Sequence, residues 1–503
     1  MYRPDSPYKI YESKIWWSDK WDPMEYGRDY DFSKPFFEQM KELIREVPWP
    51  SRIVIDVVNS DYCKNSMNVK NSYLITSGKD IENCAYGYRL YDSKDSYDCM
   101  SLNKSELCYQ DFMLDSCYKA LFSSHCENCQ EIYFCHNCKD CQNCFGCTNL
   151  RYKKYHIFNK PYSKEEYLKK LEEFDLGSYK NIRLLENKAK EHHLKYPRKF
   201  MFGRHNINVI GEYINNSKNV LDCYSIKSGE DLRYCQFLDT KEESKDIYDQ
   251  TGFGVNAQKS YECFGVGQGS SNIKFGWHNM GCYNLEYCIQ CNDCSDCFAC
   301  FGLKHKKHCI FNKQYTKEEY KELVPKIKKH MNEMPYVDKK GRVYKYGEFF
   351  PAELSPFGYN ETMANEYFPL SEKQAIDQGF NWYDKPKAEY KPTIKAVNIP
   401  DDIKDIDNKI LKEVIKCDNK DCHGTGVFRL IPREFKFYKK QGIPIPRLCP
   451  KCRHQERIKQ RNPMKLWGRQ CMKKGCPNKF QTSYSPDRKE IVYCEQCYNK
   501  EVG

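Results

Sequence analysis

Apolar side chains recur at helical spacing in only a few parts of this chain. Near the N-terminus one helical face carries Phe36, Phe37, Met40, Leu43 and Ile44. Ser33 can cap this helix and Pro35 suits its first turn. The pattern predicts one helix within an N-terminal lead-in, residues 1–58, whose aromatic residues belong to a core.

Two later segments have the S/T-x-x-E spacing of a capping box, Ser163 with Glu166 and Thr316 with Glu319. Apolar residues follow each box at helical intervals, so we expect a helix at each place. A helix laid across the end of a repeat array would cover its open edge. A further helix is predicted over residues 401–415, where Ile403, Ile406, Ile410 and Val414 recur.

The cysteines of the region before residue 150 follow a period that divides by three. All twelve occupy multiples of three: Cys63, Cys84, Cys99, Cys108, Cys117, Cys126, Cys129, Cys135, Cys138, Cys141, Cys144 and Cys147. Neither the 3.6-residue helix nor the two-residue strand keeps that phase. Pairs twelve residues apart, such as Cys117 and Cys129, suggest a twelve-residue coil. We therefore expect a β-solenoid whose cysteines and aromatic residues stack inward.

The cysteine-rich region is duplicated. A six-cysteine ladder, Cys129 to Cys147, recurs with the same spacing 153 residues later, as Cys282 to Cys300. Each copy runs into a tail that begins IFNK and ends KEEY. The fold class that follows is mainly β with short helices: two tandem β-solenoid-like, cysteine-rich units plus C-terminal four-cysteine zinc ribbons. The predicted domains are the lead-in, unit one (59–179), unit two (211–335), a Tyr/Pro-rich connector with helices (336–410) and a basic double-ribbon region (411–503).

Cysteine usage and charge narrow the class of protein. Thirty cysteines in a long chain with a polar N-terminus indicate reduced thiols or metal ligands in a soluble, cytoplasmic protein rather than disulfides. From Leu411 to Gly503 there are 22 Lys/Arg against 9 Asp/Glu, a surplus of 13 in a chain of net charge +12. The rest of the chain is therefore close to neutral. A localised basic surplus is typical of a polyanion partner, although a solvated basic face would look the same.

The C-terminal region carries the sharpest chemical signal. Its eight cysteines fall into four pairs: Cys417 and Cys422, Cys449 and Cys452, Cys471 and Cys476, Cys494 and Cys497. Two such knuckles, separated by a short sheet, supply the four thiolates of a tetrahedral zinc site. We expect about two zinc ions here, each contributing on the order of 10 kcal/mol to the folding of a ribbon. Sequential and crossed pairings of the knuckles both remain open.

Basic and aromatic residues lie between the two predicted ribbons. They are Arg453, Arg457, Lys459, Arg461, Lys465, Trp467 and Arg469. Arg and Lys can contact phosphates, and Trp467 offers a face for base stacking. We expect RNA, DNA or a nucleoprotein to contact this segment, with a plain linker helix or a protein-docking helix as the alternatives.

The ladder cysteines admit three interpretations. Iron–sulfur ligation would need a spacing that these ladders lack, whereas zinc binding and packing as small buried thiols both fit. The candidate ligands are Cys129, Cys135, Cys138, Cys141, Cys144, Cys147, Cys282, Cys288, Cys291, Cys294, Cys297 and Cys300. We find no nucleophile elbow, P-loop, dinucleotide fingerprint or HExxH motif, and we assign no catalytic residue.

Three stretches carry a resemblance: WWSDKWDP at residues 16–23, the twin IFNK–KEEY tails, and IPIPRLCPKCRH at residues 443–454. With them the whole chain resembles a family of duplicated cysteine-rich, zinc-ribbon proteins from bacteria with reduced genomes. The resemblance implies zinc ribbons and no particular activity. A CaiB/BaiF-type CoA-transferase, a name sometimes attached to such chains, would need a large α/β enzyme with a carboxylate nucleophile, and no residues here support it.

The combined features favour a non-enzymatic zinc-binding scaffold or recognition protein. Its repeat units would present a surface to a protein partner, and its basic ribbons would engage nucleic acid or nucleoprotein. We expect no membrane association, because no apolar stretch is long enough to span a bilayer. The alternative is a metal- or Fe–S-dependent enzyme, redox or transferase, that uses the cysteine ladders.

Overall fold

The computed structural model describes residues 2–384 and 390–502, which form a mainly β structure with short helices. The strands are β1 (Ile10–Tyr11), β2 (Trp49–Pro50), β3 (Val54–Val58), β4 (Ser66–Lys70), β5 (Tyr73–Thr76), β6 (Lys79–Glu82), β7 (Ala85–Lys94), β8 (Met100–Asn103), β9 (Phe112–Asp115), β10 (Tyr118–Leu121), β11 (Gln130–Tyr133), β12 (Gln142–Phe145), β13 (Lys154–Ile157), β14 (Lys160–Pro161), β15 (Arg198–Lys199), β16 (Gly203–Arg204), β17 (Ile207–Asn215), β18 (Lys218–Arg233), β19 (Gln236–Thr251), β20 (Gln258–Phe264), β21 (Ser271–Lys274), β22 (Tyr283–Glu286), β23 (Ser295–Phe298), β24 (Cys309–Ile310), β25 (Lys313–Gln314), β26 (Tyr336–Val337), β27 (Val343–Tyr344), β28 (Ile394–Lys395), β29 (Ile415–Lys416), β30 (Val427–Phe428), β31 (Trp467–Gln470), β32 (Lys479–Thr482) and β33 (Val492–Tyr493).

The α-helices of the described residues are short. They are α1 (Ser13–Trp17), α2 (Phe36–Glu46), α3 (Lys164–Glu173), α4 (Tyr179–His193), α5 (Lys317–Glu333), α6 (Ala364–Tyr367), α7 (Glu372–Asp377), α8 (Pro432–Gln441), α9 (Pro450–Ile458) and α10 (Glu495–Val502). None of the described helices has the length and apolar character that a bilayer span requires.

The strands from β3 to β13 form a first stack of coils with a constant step. Parallel pairing joins Met100 to Phe112, Tyr118 to Gln130 and Gln130 to Gln142, each twelve residues apart. The twelve-residue solenoid predicted from the cysteine spacing is confirmed.

The strands from β16 to β24 form a second stack with a less regular step. Pairs such as Ser271–Tyr283 keep the twelve-residue register, whereas Gln258–Ser271 is separated by thirteen residues and Gly229–Ser244 by fifteen. These longer coils shift the cysteine phase along the second stack.

Backbone geometry explains why the inward positions repeat every three residues. Every third residue from Asp56 to Phe158 has a positive φ, so each coil turns four corners in the left-handed region. Asn and Asp tolerate this region better than most side chains. At several corners they also bond to the neighbouring coil, as Asn128 does to Asp140 (3.2 Å). The residue after each corner points inward, and this is the position that the cysteines occupy.

Inward serines and cysteines make the same hydrogen bond. The Ser96 hydroxyl donates to the carbonyl of Lys94 (2.7 Å), and the Cys84 thiol donates to the carbonyl of Glu82 (3.3 Å). In each case the acceptor lies two residues back, before the corner. Each of these carbonyls also accepts a corner amide of the next coil, from Leu107 to Lys94 (3.3 Å) and from Asp95 to Glu82 (3.1 Å). The inward hydroxyl or thiol therefore adds a second donor to a carbonyl that is already bonded.

A helix follows each stack where a capping box predicted it. Ser163 and Glu166 form a complete box at the start of α3, and Thr316 and Glu319 do the same at α5. The predicted N-terminal helix is also present as α2. Its cap is Pro35 rather than Ser33, whose hydroxyl donates to Asp31 (2.6 Å).

The two stacks lie side by side and run in opposite directions. Arg204, at the start of the second stack, forms an ion pair with Glu127, late in the first stack (2.7 Å). Phe237, farther along the second stack, contacts Arg89, which lies earlier in the first stack; the guanidinium carbon is 5.0 Å from the centre of the ring. Helix α2 packs on the second stack, where Phe36 contacts Phe298. The C-terminal region packs on the first stack, although it follows the second in sequence.

The connector contains α6 and α7 but lacks the helix predicted over residues 401–415. That segment folds into two 3-10 turns, Ile403–Asp405 and Asn408–Lys412. The side chains of Asp402 and Asp407 accept hydrogen bonds from the first turn of each. These local bonds, and burial of the isoleucines on the C-terminal core, favour turns over a continuous helix.

Candidate metal centres

The first four-cysteine group is assembled by a hairpin and a helix start. Cys417 follows β29, and Cys422 lies in the turn before β30. Cys449 is the N-cap of α9, and Cys452 stands in the first turn of that helix. The four sulfur atoms all lie within 4.8 Å of one another. Two residues separate Cys449 from Cys452, and this spacing brings their sulfur atoms together because the start of a helix turns its cap residue and the third residue after it toward the same point.

The second group repeats this construction. Cys471 follows β31, Cys476 precedes β32, and Cys494 and Cys497 lie at the start of α10. Their sulfur atoms also lie within 4.8 Å of one another. The knuckles therefore pair in sequence order, and the crossed arrangement that the spacing left open does not occur.

Sulfur separations match a tetrahedral metal. A tetrahedron with metal–sulfur bonds of about 2.3 Å, the usual length for zinc, has S···S edges of about 3.8 Å. Cys422 Sγ lies 3.6 Å from Cys449 Sγ and 3.7 Å from Cys452 Sγ, and Cys476 Sγ lies 3.9 Å from Cys494 Sγ. All eight thiols are free, and these separations are far longer than a disulfide bond. The groups have the dimensions of a metal centre.

Backbone amides point at the sulfur atoms. The amide of Cys449 donates to Cys417 Sγ (3.3 Å), that of His423 to Cys452 Sγ (3.4 Å), and that of Cys494 to Cys471 Sγ (3.3 Å). Such N–H donors favour sulfur as thiolate, the form that binds metal. His423 contributes only its amide here, and the His454 ring bonds Glu366 (3.2 Å), so neither imidazole joins a group.

A buried ion-pair cluster docks the first group on the first stack. Arg453 contacts Asp98 (2.9 Å) and Glu434 (3.0 Å), and Arg457 contacts Asp98 (3.0 Å). These four side chains are at most 3 % exposed, and Tyr86 donates a further bond to Glu434 (2.9 Å). Burial raises the pKa of the Glu434 carboxyl. Two cations and two carboxylates thus hold α9 against the coils.

The second group is fastened at the junction of the two stacks. Strand β33 pairs with β15 in the segment that joins the stacks. Glu212 of the second stack, fully buried, accepts from Ser483 and from Asn462 (3.2 Å). Tyr498 of α10 donates to Asn149 in the first stack (3.2 Å). Each four-cysteine group is therefore part of an interface between distant parts of the chain.

This docking decides where the predicted nucleic-acid residues lie. Arg453 and Arg457 are buried in the ion-pair cluster, so their guanidinium groups do not face solvent. Arg461 stacks on Tyr367, 3.5 Å from the ring centre, and Arg469 donates to the carbonyl of Ser485 (3.2 Å).

Three residues of the predicted segment remain near the surface. Lys459 and Lys465 are exposed, and Trp467 is half-buried with the Lys465 ammonium 5.3 Å from its ring. The sequence reasoning missed Asp98 and Glu434. Asp98 is one of many corner aspartates, and nothing nearby in sequence distinguishes it.

The ladder cysteines lie in the cores of the stacks. Cys129, Cys135, Cys138, Cys141, Cys144, Cys147, Cys282, Cys288, Cys291, Cys294, Cys297 and Cys300 are all free and at most 1 % exposed. Across the described residues, the only groups of three or more ligand atoms within 4.8 Å of one another are the two C-terminal fours. Burial raises the pKa of Cys84 and of Cys263, which lie outside the ladders, to about 12 and keeps these two thiols protonated. These two thiols therefore have a packing role.

Comparisons with known proteins add little. No family model matches the chain, and no curated protein matches it. Among solved structures, one match is a protein described as an acetyltransferase from Desulfovibrio desulfuricans G20, with 10% sequence identity, a TM-score of 0.12, and coverage of 56% of this chain and 84% of that chain. So low a score carries no argument about fold or activity.

Proposed function

We propose that the protein is a zinc-binding scaffold in which two structural zinc ions fasten the C-terminal region to the paired solenoid stacks. The observation that carries this proposal is the pair of four-cysteine groups with S···S separations of 3.6 to 3.9 Å. Zinc is redox-inert and is bound by four ligands in structural sites. When all four ligands are thiolates, no coordination position is left for a substrate. The complete sets of thiols therefore support a structural role rather than a catalytic one.

The interfaces around the groups support the same role. The helix that carries Cys452 also carries Arg453 and Arg457, which bind Asp98 of the first stack. A metal ion would hold the start of α9, and the ion pairs would hold its remaining length. Loss of the ion would then release both the ribbon and its contact with the coils.

Elemental analysis of the reduced full-length protein tests the metal assignment. We expect about two zinc ions per chain, with one lost in the double variant Cys422→Ser/Cys449→Ser. The matched control is Cys84→Ser, a buried cysteine of the first stack outside the ladders, which should retain both ions. Zinc below one ion per chain, or equal zinc in the double variant and the control, would contradict the proposal.

We also propose that the C-terminal region binds a nucleic acid or a nucleoprotein. The cleft between the stacks, about 2690 Å³, is lined by equal numbers of basic and acidic residues and so offers no net attraction for a polyanion. The surplus of 13 positive charges lies instead in residues 411–503. Lys459, Lys465 and Trp467 are the side chains of the predicted segment that can still reach a phosphate or a base.

Binding of single-stranded RNA and of duplex DNA should be measured against salt with the full-length chain. We expect affinity to fall as salt rises, and the double variant Lys459→Gln/Lys465→Gln to bind more weakly with a shallower salt dependence. Lys326→Gln is the control, because Lys326 is also exposed and pairs with a glutamate on its own helix. Equal binding by the double variant and the control would refute this partner.

A further inference from the structure

One coil in each stack turns four cysteines inward. In the first stack these are Cys138, Cys141, Cys144 and Cys147, and in the second they are Cys291, Cys294, Cys297 and Cys300. We call these two coils the sulfur coils. Other coils mix residue types at the inward positions: one carries Leu102, Ser105, Cys108 and Asp111. The sulfur coils thus place one thiol on each side of a four-sided core.

The thiols of a sulfur coil are neighbours of one another. Cys141 stands between Cys138 and Cys144 along its coil, and the pairing of Gln130 with Gln142 puts it in register with Cys129 of the coil before. Its counterpart Cys294 has the same relation to Cys282, Cys291 and Cys297, because Tyr283 pairs with Ser295. The same arrangement of thiols therefore occurs in both stacks, and in each it extends into the preceding coil.

The geometry of a sulfur coil disfavours tetrahedral zinc. In the described part of the chain, no three ladder sulfurs lie within 4.8 Å of one another, as a tetrahedral ion would require. Successive thiols stand on adjacent sides of the coil, so each pair lies along one edge. An ion that needs only two sulfur ligands can bridge such an edge. Soft thiolates bind Cu(I), zinc and Fe–S clusters, and the last two are held by four ligands rather than the two of one edge.

Charge balance points to the same class of ion. One zinc ion with four thiolates would leave a net charge of about −2 in an apolar core, which is costly to bury. One univalent cation per thiolate is neutral. We propose that each sulfur coil binds Cu(I) or another soft univalent cation, with one ion on each edge of the coil. Four S–H groups release four protons as four cations bind, and no electron is transferred.

The sulfur coils are close to solvent despite their burial. In the first stack the next coil is the last one, and its inward positions above Cys141 and Cys144 hold Lys153, which is exposed, and His156, which is half-buried. In the second stack Lys306 takes the equivalent position above Cys294. A cation would cross one partly polar layer to reach the thiols.

A packing role alone makes a different prediction. Each thiol donates to a carbonyl two residues back, as Cys141 does to Lys139 (3.2 Å), and inward serines make the same bond elsewhere. Serine should therefore replace cysteine in the sulfur coils without loss of fold, while it removes the soft ligands. This gives a matched set of variants.

The test is anaerobic titration of the reduced, zinc-loaded full-length protein with Cu(I), followed by desalting and measurement of copper and zinc per chain. We expect about four copper ions for each sulfur coil, with zinc unchanged. The variant Cys138→Ser/Cys141→Ser/Cys144→Ser/Cys147→Ser should lose about four of them. The control variant Cys63→Ser/Cys84→Ser/Cys108→Ser/Cys117→Ser, whose positions lie in different coils, should keep them.

Equal copper uptake by the two variants, or copper gained only as zinc is lost, would overturn the proposal. X-ray absorption of the copper-loaded wild-type protein provides a test that needs no variant: we expect two sulfur neighbours per copper, and four would contradict it. The zinc content before titration reports separately on the proposed function. Absent zinc would refute the scaffold proposal and leave the copper result to stand by itself.

Discussion

Replacement of Asp98 by Asn tests whether the buried ion pairs hold the C-terminal region on the first stack. The cluster contains two guanidinium groups and two carboxylates, each at most 3 % exposed. Asp98→Asn preserves side-chain shape and suits the corner backbone, where φ is 54°. It leaves Arg457 without a carboxylate and gives the buried cluster a net positive charge.

The expected loss follows from that uncompensated charge. Removal of one partner from a buried ion pair typically costs about 3–5 kcal/mol, because the other charge stays in a poorly solvated site. We expect the free energy of unfolding of Asp98→Asn to fall by about this amount, with little dependence on salt. Urea denaturation followed by tryptophan fluorescence measures it. The rate of zinc loss to a chelator should rise in parallel.

Two companion variants separate charge from other effects. Asp92→Asn changes an exposed corner aspartate with the same backbone conformation (φ 46°) and should be nearly neutral. Asp98→Asn/Arg457→Met restores the balance of charge, so part of the lost stability should return. A loss below about 1 kcal/mol for Asp98→Asn, or a further loss on adding Arg457→Met, would refute the reasoning.

Three further predictions concern the pH dependence, the inward thiols and the corners. Burial raises the pKa of Glu212 from 4.5 to about 7, so the folded state binds a proton more tightly than the unfolded state. Stability should fall as pH rises from about 4.5 to about 7, by about 3 kcal/mol, and Glu212→Gln should flatten this part of the profile; an unchanged slope in calorimetric melting would contradict it. Cys84 lies in line with Ser72 and Ser96 of adjacent coils, so Cys84→Ser should be close to neutral. Cys84→Val removes the thiol donor from the carbonyl of Glu82, which keeps its bond from the amide of Asp95 (3.1 Å), and should cost about 0.5–1.5 kcal/mol more than Cys84→Ser; equal melting temperatures would contradict this. Asn128→Val should destabilise by about 1–2 kcal/mol more than Asn128→Gly, because valine opposes the positive φ of 52°; urea denaturation of the two variants should separate them, and equal loss would show that the corner conformation is not what asparagine provides.

Much of the fold could be predicted because its signals are local. A backbone that places every third residue in the left-handed region turns the following residue inward, and that repeat appears directly as the phase of the cysteines. Capping boxes depend on residues three positions apart, so Ser163 and Thr316 marked two helices correctly. The eight C-terminal ligands could be named because knuckle spacing reflects local backbone geometry. The predicted helix over residues 401–415 failed because its isoleucines face a core formed by distant elements.

The amino-acid sequence by itself determined the solenoid period, the two capped helices and the identity of the candidate zinc ligands, since each rests on residues close together in the chain. Only the tertiary structure decided that the knuckles pair in sequence order and that the C-terminal region packs on the first stack. It also buried Arg453 and Arg457 against Asp98, more than 350 positions earlier in the chain. The physical reason is that a charged side chain has the same local pattern whether it faces water or a carboxylate, and only the packing of distant elements distinguishes the two.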